Sequence, residues 1–161
     1  MSAVKSDSIQ LQTRPLAGFA LEVAFTCRDD RWMHRLQIVK VNSSDDAATT
    51  LLESLGDDEL WPSSPPWQEL HVHEADRSRI LMLVGRAGKS HWSMSVALTD
   101  DATAIEFDVA CRVREMPRFL GSSYRLVTDS DDWVFVKQSE VPAWRCGARQ
   151  SILHSQEKDS T

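Results

Sequence analysis

The sequence predicts a mainly β domain of about eight antiparallel strands, built as a hairpin, one helix and a six-strand meander that form a sandwich or a partly closed barrel. Three observations carry this expectation. Residues 18–27 and 31–41 alternate apolar and polar side chains around Asp29-Asp30. Residues 79–113 hold the apolar run Ile80-Leu81-Met82-Leu83-Val84 and then two further alternating segments split by Asp100-Asp101. The connections between these segments are short, which allows only antiparallel neighbours.

With 161 residues the chain is long enough to bury a core without disulfide or metal staples. Hydrophobic residues at 42% and charged residues at 26% are ordinary globular values. A net charge of −6 argues against non-specific nucleic-acid or anionic-membrane binding, which needs a cationic footprint. The charge is uneven: residues 1–80 carry 8 basic and 13 acidic side chains, residues 81–161 carry 10 and 11, so a local basic patch has room in the second half. No segment approaches the roughly 20 apolar residues of a spanning helix. Met1 to Pro15 lacks the apolar core of a signal peptide, and the later run Leu16 to Phe25 contains Glu22. Cys27, Cys111 and Cys146 form no CxxC pair and cannot all pair within one chain, so a reducing cytoplasm is the expected compartment. Residues 1–15 are expected to be a flexible N-terminal segment, 16–140 a single β domain, and 141–161 a polar C-terminal tail.

In the first hairpin, Cys27 opposite Trp32 brings Phe25 to His34, Val23 to Leu36 and Leu21 to Ile38, gathering the apolar side chains on one face. His34 then lies on the apolar face beside Phe25, as a core or boundary histidine. Asp-Asp pairs recur at 29-30, 45-46, 57-58, 100-101 and 131-132, where carboxylates suit turns and helix starts. Calcium binding is the functional alternative, but Asp129-Ser130-Asp131-Asp132 lacks the glycine and distal glutamate of an EF-hand loop. A helix is expected near 44–55: Ser44 caps it, Asp45 and Asp46 suit its positive end, Ala48, Leu51, Leu52 and Leu55 form one stripe, and Gly56 stops it. The Pro-rich loop 61–67 follows, with Trp61 and Trp67 as the expected exposed pair at its ends. Six strands are then expected near 68–74, 79–85, 90–98, 103–114, 122–128 and 133–138. Around Asp100-Asp101 the pairing expected is Val96 with Ile105, Met94 with Phe107 and Trp92 with Val109. The strand at 79–85 is apolar on both sides, which places it centrally with a cover on each face, the helix supplying the second.

Several motifs point to chemistry. Gly88-Lys89-Ser90 resembles the end of a phosphate-binding loop, but position 83 is Leu83 where the first glycine belongs, and His91 to Leu98 alternates with period two where a helix should start. His71 and His73 make an HxH on a strand, both imidazoles on one side roughly 7 Å apart. That spacing is similar to the first metal motif of cupins. Neither Glu74 nor Asp76 stands at the carboxylate offset of that motif, and no second motif with a third histidine follows, so the family is not assigned. With Val72 opposite Met82, His71 lies about two strand spacings from His91, too far for shared ligation, and a one-residue slip turns both histidines inward. His91, Ser93 and Asp108 are close in the expected sheet, but no Gly-x-Ser-x-Gly elbow accompanies them. Arg112, Arg114, Arg118 and Arg125 form an arginine rim at one strand end, while Asp100 and Asp101 hold the other end of that hairpin. Such a rim suits a phosphate, a carboxylate or an acidic partner. Cys146 beside Arg145 is the thiol expected to be accessible.

The expectation that follows is a non-enzymatic intracellular binding or interaction domain, using a polar sheet face or the rim of Arg112, Arg114, Arg118 and Arg125 with Trp61 and Trp67. Its partner is a protein or a small anionic ligand, with no nucleic acid, membrane or cofactor implied. The alternative is a metal-dependent enzyme with His71 and His73 as ligands, and the third reading is nucleotide binding through Gly88-Lys89-Ser90. A homo-oligomer is compatible with edge strands pairing across a two-fold axis, though the letters do not say which edge is exposed.

Overall fold

The computed structural model describes residues 8–41, 48–75, 78–127, 133–138 and 141–146. It divides into two units, Met1–Thr128 and Asp129–Thr161. In chain order the strands are β1 (Ser8–Gln12), β2 (Phe19–Arg28), β3 (Arg31–Lys40), β4 (Ala48–Ser54), β5 (Trp67–Ala75), β6 (Ser78–Ala87), β7 (Ser90–Leu98), β8 (Ile105–Arg112), β9 (Tyr124–Leu126), β10 (Trp133–Gln138) and β11 (Val141–Cys146). The first unit holds two antiparallel sheets, ordered β1-β2-β3-β4-β9 and β5-β6-β7-β8. They do not close into a barrel and match a sandwich. The second unit is the hairpin of β10 and β11, with six residue pairs from Trp133 opposite Cys146 to Gln138 opposite Val141.

The β2–β3 hairpin has the expected register at every position, Cys27 opposite Trp32 and Phe25 opposite His34 among them. Its turn fixes this. Asp29 and Asp30 both adopt positive φ, 49° and 60°, the two-residue geometry whose twist matches that of the flanking strands. The buried face of this sheet carries Val23, Phe25 and Leu36, and the second sheet contributes Leu81, Leu83, Met94 and Val96. The rings of Phe25 and His34 lie 5.1 Å apart, and Phe107 of the second sheet approaches His34 to 5.9 Å, so the two layers meet across this histidine.

The helix expected near 44–55 is absent from the described residues, and Ala48–Ser54 is strand β4, paired with β3 and β9. Leu51 and Leu52 are both buried, and the β3–β4 register shifts there: Leu52 stands opposite Leu36 and Thr50 opposite Gln37, which leaves Leu51 as the extra residue of a bulge. Two successive buried apolar residues imitate a helical stripe. Ser44, Asp45 and Asp46 lie outside the described residues. The strand expected near 122–128 is β9, but it leaves the meander and pairs with β4 of the other sheet. The 113–123 connection is long enough to cross, and Leu55 N donates to Ser123 O at 2.9 Å as the chain arrives. β1 runs inside the segment expected to be flexible, with Ile9 opposite Phe25 and Leu11 opposite Val23. Likewise β11 occupies the start of the expected tail. Each short strand finds a neighbour whose edge would otherwise be open, which period alone cannot reveal.

Candidate functional site

β6 sets up the site because its side chains alternate. Leu81, Leu83, Gly85 and Ala87 point into the core, while Met82, Val84 and Arg86 point out. No helix among the described residues covers this outer face, so Met82 and Val84 stay 50% and 40% exposed. The expectation of a second cover therefore fails, although β6 is a central strand.

The β6–β7 connection is a tight turn, not a phosphate loop. Ala87 stands opposite Ser90, and Gly88 takes φ +55° at the first of the two central positions. A side chain at Gly88 would collide with Leu60, its Cβ falling 2.3 Å from Leu60 Cδ1. Ser90 is fully buried, and its Oγ accepts from Arg114 N at 3.4 Å, which removes it from any ligand-facing role.

This turn fixes Arg86 opposite His91, and the β7–β8 register places His91 opposite Arg112. Three basic side chains thus form one row across three strands, neighbours at the ordinary cross-strand Cα spacing of roughly 4.5–5.5 Å. All three are exposed. Among the described residues neither arginine has a carboxylate partner, since the ion pairs involve Arg31, Arg79 and Arg125 instead. The next row down is small: Val84, Ser93 and Ala110 stand opposite one another. Long side chains above a floor of small ones leave an open depression of about 580 Å³, lined by the basic row, that floor and Gln68 and Glu69 of β5.

The edge nearest β5 is held by Gln68. Its Oε1 accepts from Arg86 N at 3.0 Å and its Nε2 donates to Arg86 O at 3.4 Å, replacing ladder bonds where β5 is irregular between Trp67 and Glu69. Gly85 makes this possible. A Cβ there would lie 1.9 Å from the Pro66 carbonyl oxygen, so only glycine lets the proline loop approach this closely.

His71 and His73 face outward on β5 and are exposed. Val72 stands opposite Leu81 rather than Met82, one residue from the expected register, and the histidines remain outside because Leu81 and Leu83 are the inward residues of β6. His71 Nε2 lies 3.1 Å from Glu69 Oε2. No group of three or more histidine, cysteine, aspartate or glutamate side chains placed for a metal occurs among the described residues. His91, Ser93 and Asp108 share the outer face but stand opposite Arg112, Ala110 and Ser95 respectively, so they form no relay.

The arginine rim divides. Arg112 joins the basic row, Arg114 follows it past the strand end, and Arg118 is exposed in the 113–123 connection. Arg125 belongs to β9 of the other sheet, where its guanidinium pairs with the Glu53 carboxylate. Trp61 and Trp67 are buried, at 9% and 3% exposure, which corrects the expectation of an exposed pair. The proline loop turns inward because Ser63 N donates to Asp57 Oδ2 and Ser64 Oγ donates to Ser123 O. The side chain of Cys146 lies outside the described residues.

Arg86 and His91 are the site residues that sequence reasoning misses. The two-residue turn at Gly88-Lys89 was the available signal, since it dictates their pairing. The missing link was Arg112, because the expected β7–β8 register is two residues off: Val96 pairs with Phe107, and Leu98 with Ile105. The loop between them is longer than the Asp-Asp pair suggests. Ala102 takes φ +56° and donates its N–H to Thr99 O, while the Asp101 carboxylate accepts from Thr103 N, Thr103 Oγ1 and Thr99 Oγ1. Those hydrogen bonds hold the Asp101 pKa down to about 2.

The chain matches no family model, no curated protein and no solved structure. No helix of the described residues is long and apolar enough to cross a membrane.

Proposed function

We propose that the protein is a non-enzymatic binding module that takes a small anionic ligand on the outer face of its β5–β8 sheet. The observation that carries this reading is the Arg86–His91–Arg112 row, two guanidiniums without a carboxylate partner among the described residues on either side of an imidazole. Guanidinium forks hold carboxylate or phosphate oxygens in bidentate geometry, and charge-assisted bonds of this kind are the stronger ones. The depression of about 580 Å³ has the size of a small-molecule site, and its floor of Val84, Ser93 and Ala110 leaves room for the body of a ligand whose anionic group sits on the row. A local cationic row on a chain of net charge −6 favours a compact anion over an extended polyanion, which the surrounding carboxylates repel.

Isothermal titration of the full chain with inorganic pyrophosphate and with citrate, at low ionic strength, tests the reading. Binding that weakens by about tenfold or more in Arg86→Ala and in Arg112→Ala, with thermal melts unchanged, supports it. Absence of binding by the wild type, or equal binding by the double variant, removes it.

A further inference from the structure

The two sheets of the first unit leave four strand edges among the described residues, and three of them are blunted. β1 has five residues, β9 has three, and β5 is irregular between Trp67 and Glu69. Short strands and bulges are ordinary protections against edge pairing. β8 has none of them. It runs eight residues in unbroken register with β7, contains no proline or lysine, and pairs with no second strand among the described residues. Val109 and Val113, on its core-facing side, remain 41% and 38% exposed.

Charge selects the occupant. Along the outer side of β8 stand Glu106, Asp108, Ala110 and Arg112, and Arg114 follows two residues past its end, so the run is acidic at one end and basic at the other. None of the four charged side chains has an ion-pair partner among the described residues. We propose that this edge binds the same edge of a second copy of the chain, antiparallel about a two-fold axis through Ala110. Asp108 then meets Arg112 of the second copy, Glu106 meets Arg114, and the two Ala110 residues face each other. On the core-facing side Phe107 meets Val113 and Val109 meets Cys111. Moving the axis to Val109 pairs Glu106 with Arg112 but sets Asp108 against Ala110. Moving it to Cys111 pairs Asp108 with Arg114 but sets Glu106 against Met116. Only the Ala110 axis matches both acids to both arginines while keeping apolar side chains together. The two sheets β5-β6-β7-β8 become one continuous sheet, with backbone hydrogen bonds added along the formerly open edge.

This pairing shares Arg112 with the ligand row and Ala110 with the floor beside it, so the test works through Glu106 and Arg114, which belong to neither. Sedimentation equilibrium of the full chain over micromolar concentrations is expected to give a reversible monomer–dimer system. Val109→Lys places a charge on the joined face and is expected to leave a folded monomer. Glu106→Arg sets like charges together and is expected to weaken the dimer about tenfold, and Glu106→Arg with Arg114→Glu restores it. Glu106 is exposed, so that variant is decisive even if Val109→Lys does not fold. Ala110→Cys is expected to form a covalent dimer on mild oxidation, because the two residues face each other on the axis. A wild type that stays monomeric, or a dimer indifferent to Val109→Lys and Glu106→Arg, overturns the proposal, and a double variant that is not rescued overturns the register. Arg86→Ala is expected to weaken anion binding by about tenfold or more while leaving the dimer intact, which separates the two ideas.

Discussion

His34 and His91 sit mid-sheet on neighbouring layers, and the fold assigns them opposite chemistry. His34 lies between the sheets against Phe25, Phe107 and Tyr124, its Nε2 2.9 Å from the Tyr124 hydroxyl and its Nδ1 without a partner among the described residues. Burial penalises the charged imidazole there and brings its pKa down to about 4; it also pushes the Tyr124 hydroxyl up to about 12. Both side chains stay neutral at physiological pH, as a dry layer requires. His91 stands between two arginines on the outer face and is exposed to solvent. What separates the two is whether a second layer covers the face, since both are strand residues of an alternating pattern.

The largest expected effect tests the dry layer itself. Phe25 is fully buried, so Phe25→Ala should destabilise by about 3–5 kcal/mol in urea unfolding. A cost below about 1 kcal/mol means the layer between the sheets is not packed. The next effect is on pH dependence. Between pH 6.5 and 4 the unfolded chain binds a proton at His34 that the folded chain does not, so its contribution is complete above 6.5 and lost as pH falls toward 4. That loss amounts to roughly 3 kcal/mol. Urea unfolding at several pH values should show the slope in the wild type and in His91→Ala, and lose most of it in His34→Gln. An unchanged slope in His34→Gln breaks the comparison.

A smaller effect belongs to the connection between the core and the basic row. Gly85→Ala drives a methyl group into the Pro66 carbonyl and should cost about 1–3 kcal/mol by thermal melting. Because Gln68 and Arg86 are tied together at that point, the same variant should also weaken anion binding. Smallest of all, Arg86→Ala and His91→Ala should change stability by less than about 0.5 kcal/mol, since both side chains are exposed. Their effect is expected on anion binding alone, and a large loss of stability instead makes the row a structural feature.

The fold was legible where a turn fixes pairing locally. The β2–β3 register follows from Asp29-Asp30, and Phe25 beside His34 follows from that register. Legibility failed where the connection carries its own structure. The hydrogen bonds from Thr99 and Thr103 to Asp101 lengthen the β7–β8 loop and displace the pairing by two residues, leaving faces correct and partners wrong. It failed again at Leu51-Leu52, where a bulge with two successive buried residues imitates a helical stripe. Within the site, Arg112 was visible as a basic residue at a strand end, while Arg86 and His91 gained meaning only when aligned with it.

The sequence by itself determined the strand period of β2, β3, β7 and β8, the turn at Asp29-Asp30, and which residues of those four strands share a face, because these depend on neighbours a few positions apart. Only the tertiary structure decided that β9 crosses to the first sheet, that no helix among the described residues covers the outer face of β6, that Trp61 and Trp67 are buried, and that β8 pairs on one side only among the described strands. Covering a face and pairing an edge are contacts between segments distant in the chain, and their free energy is settled by the whole assembly of layers rather than by any local run of residues.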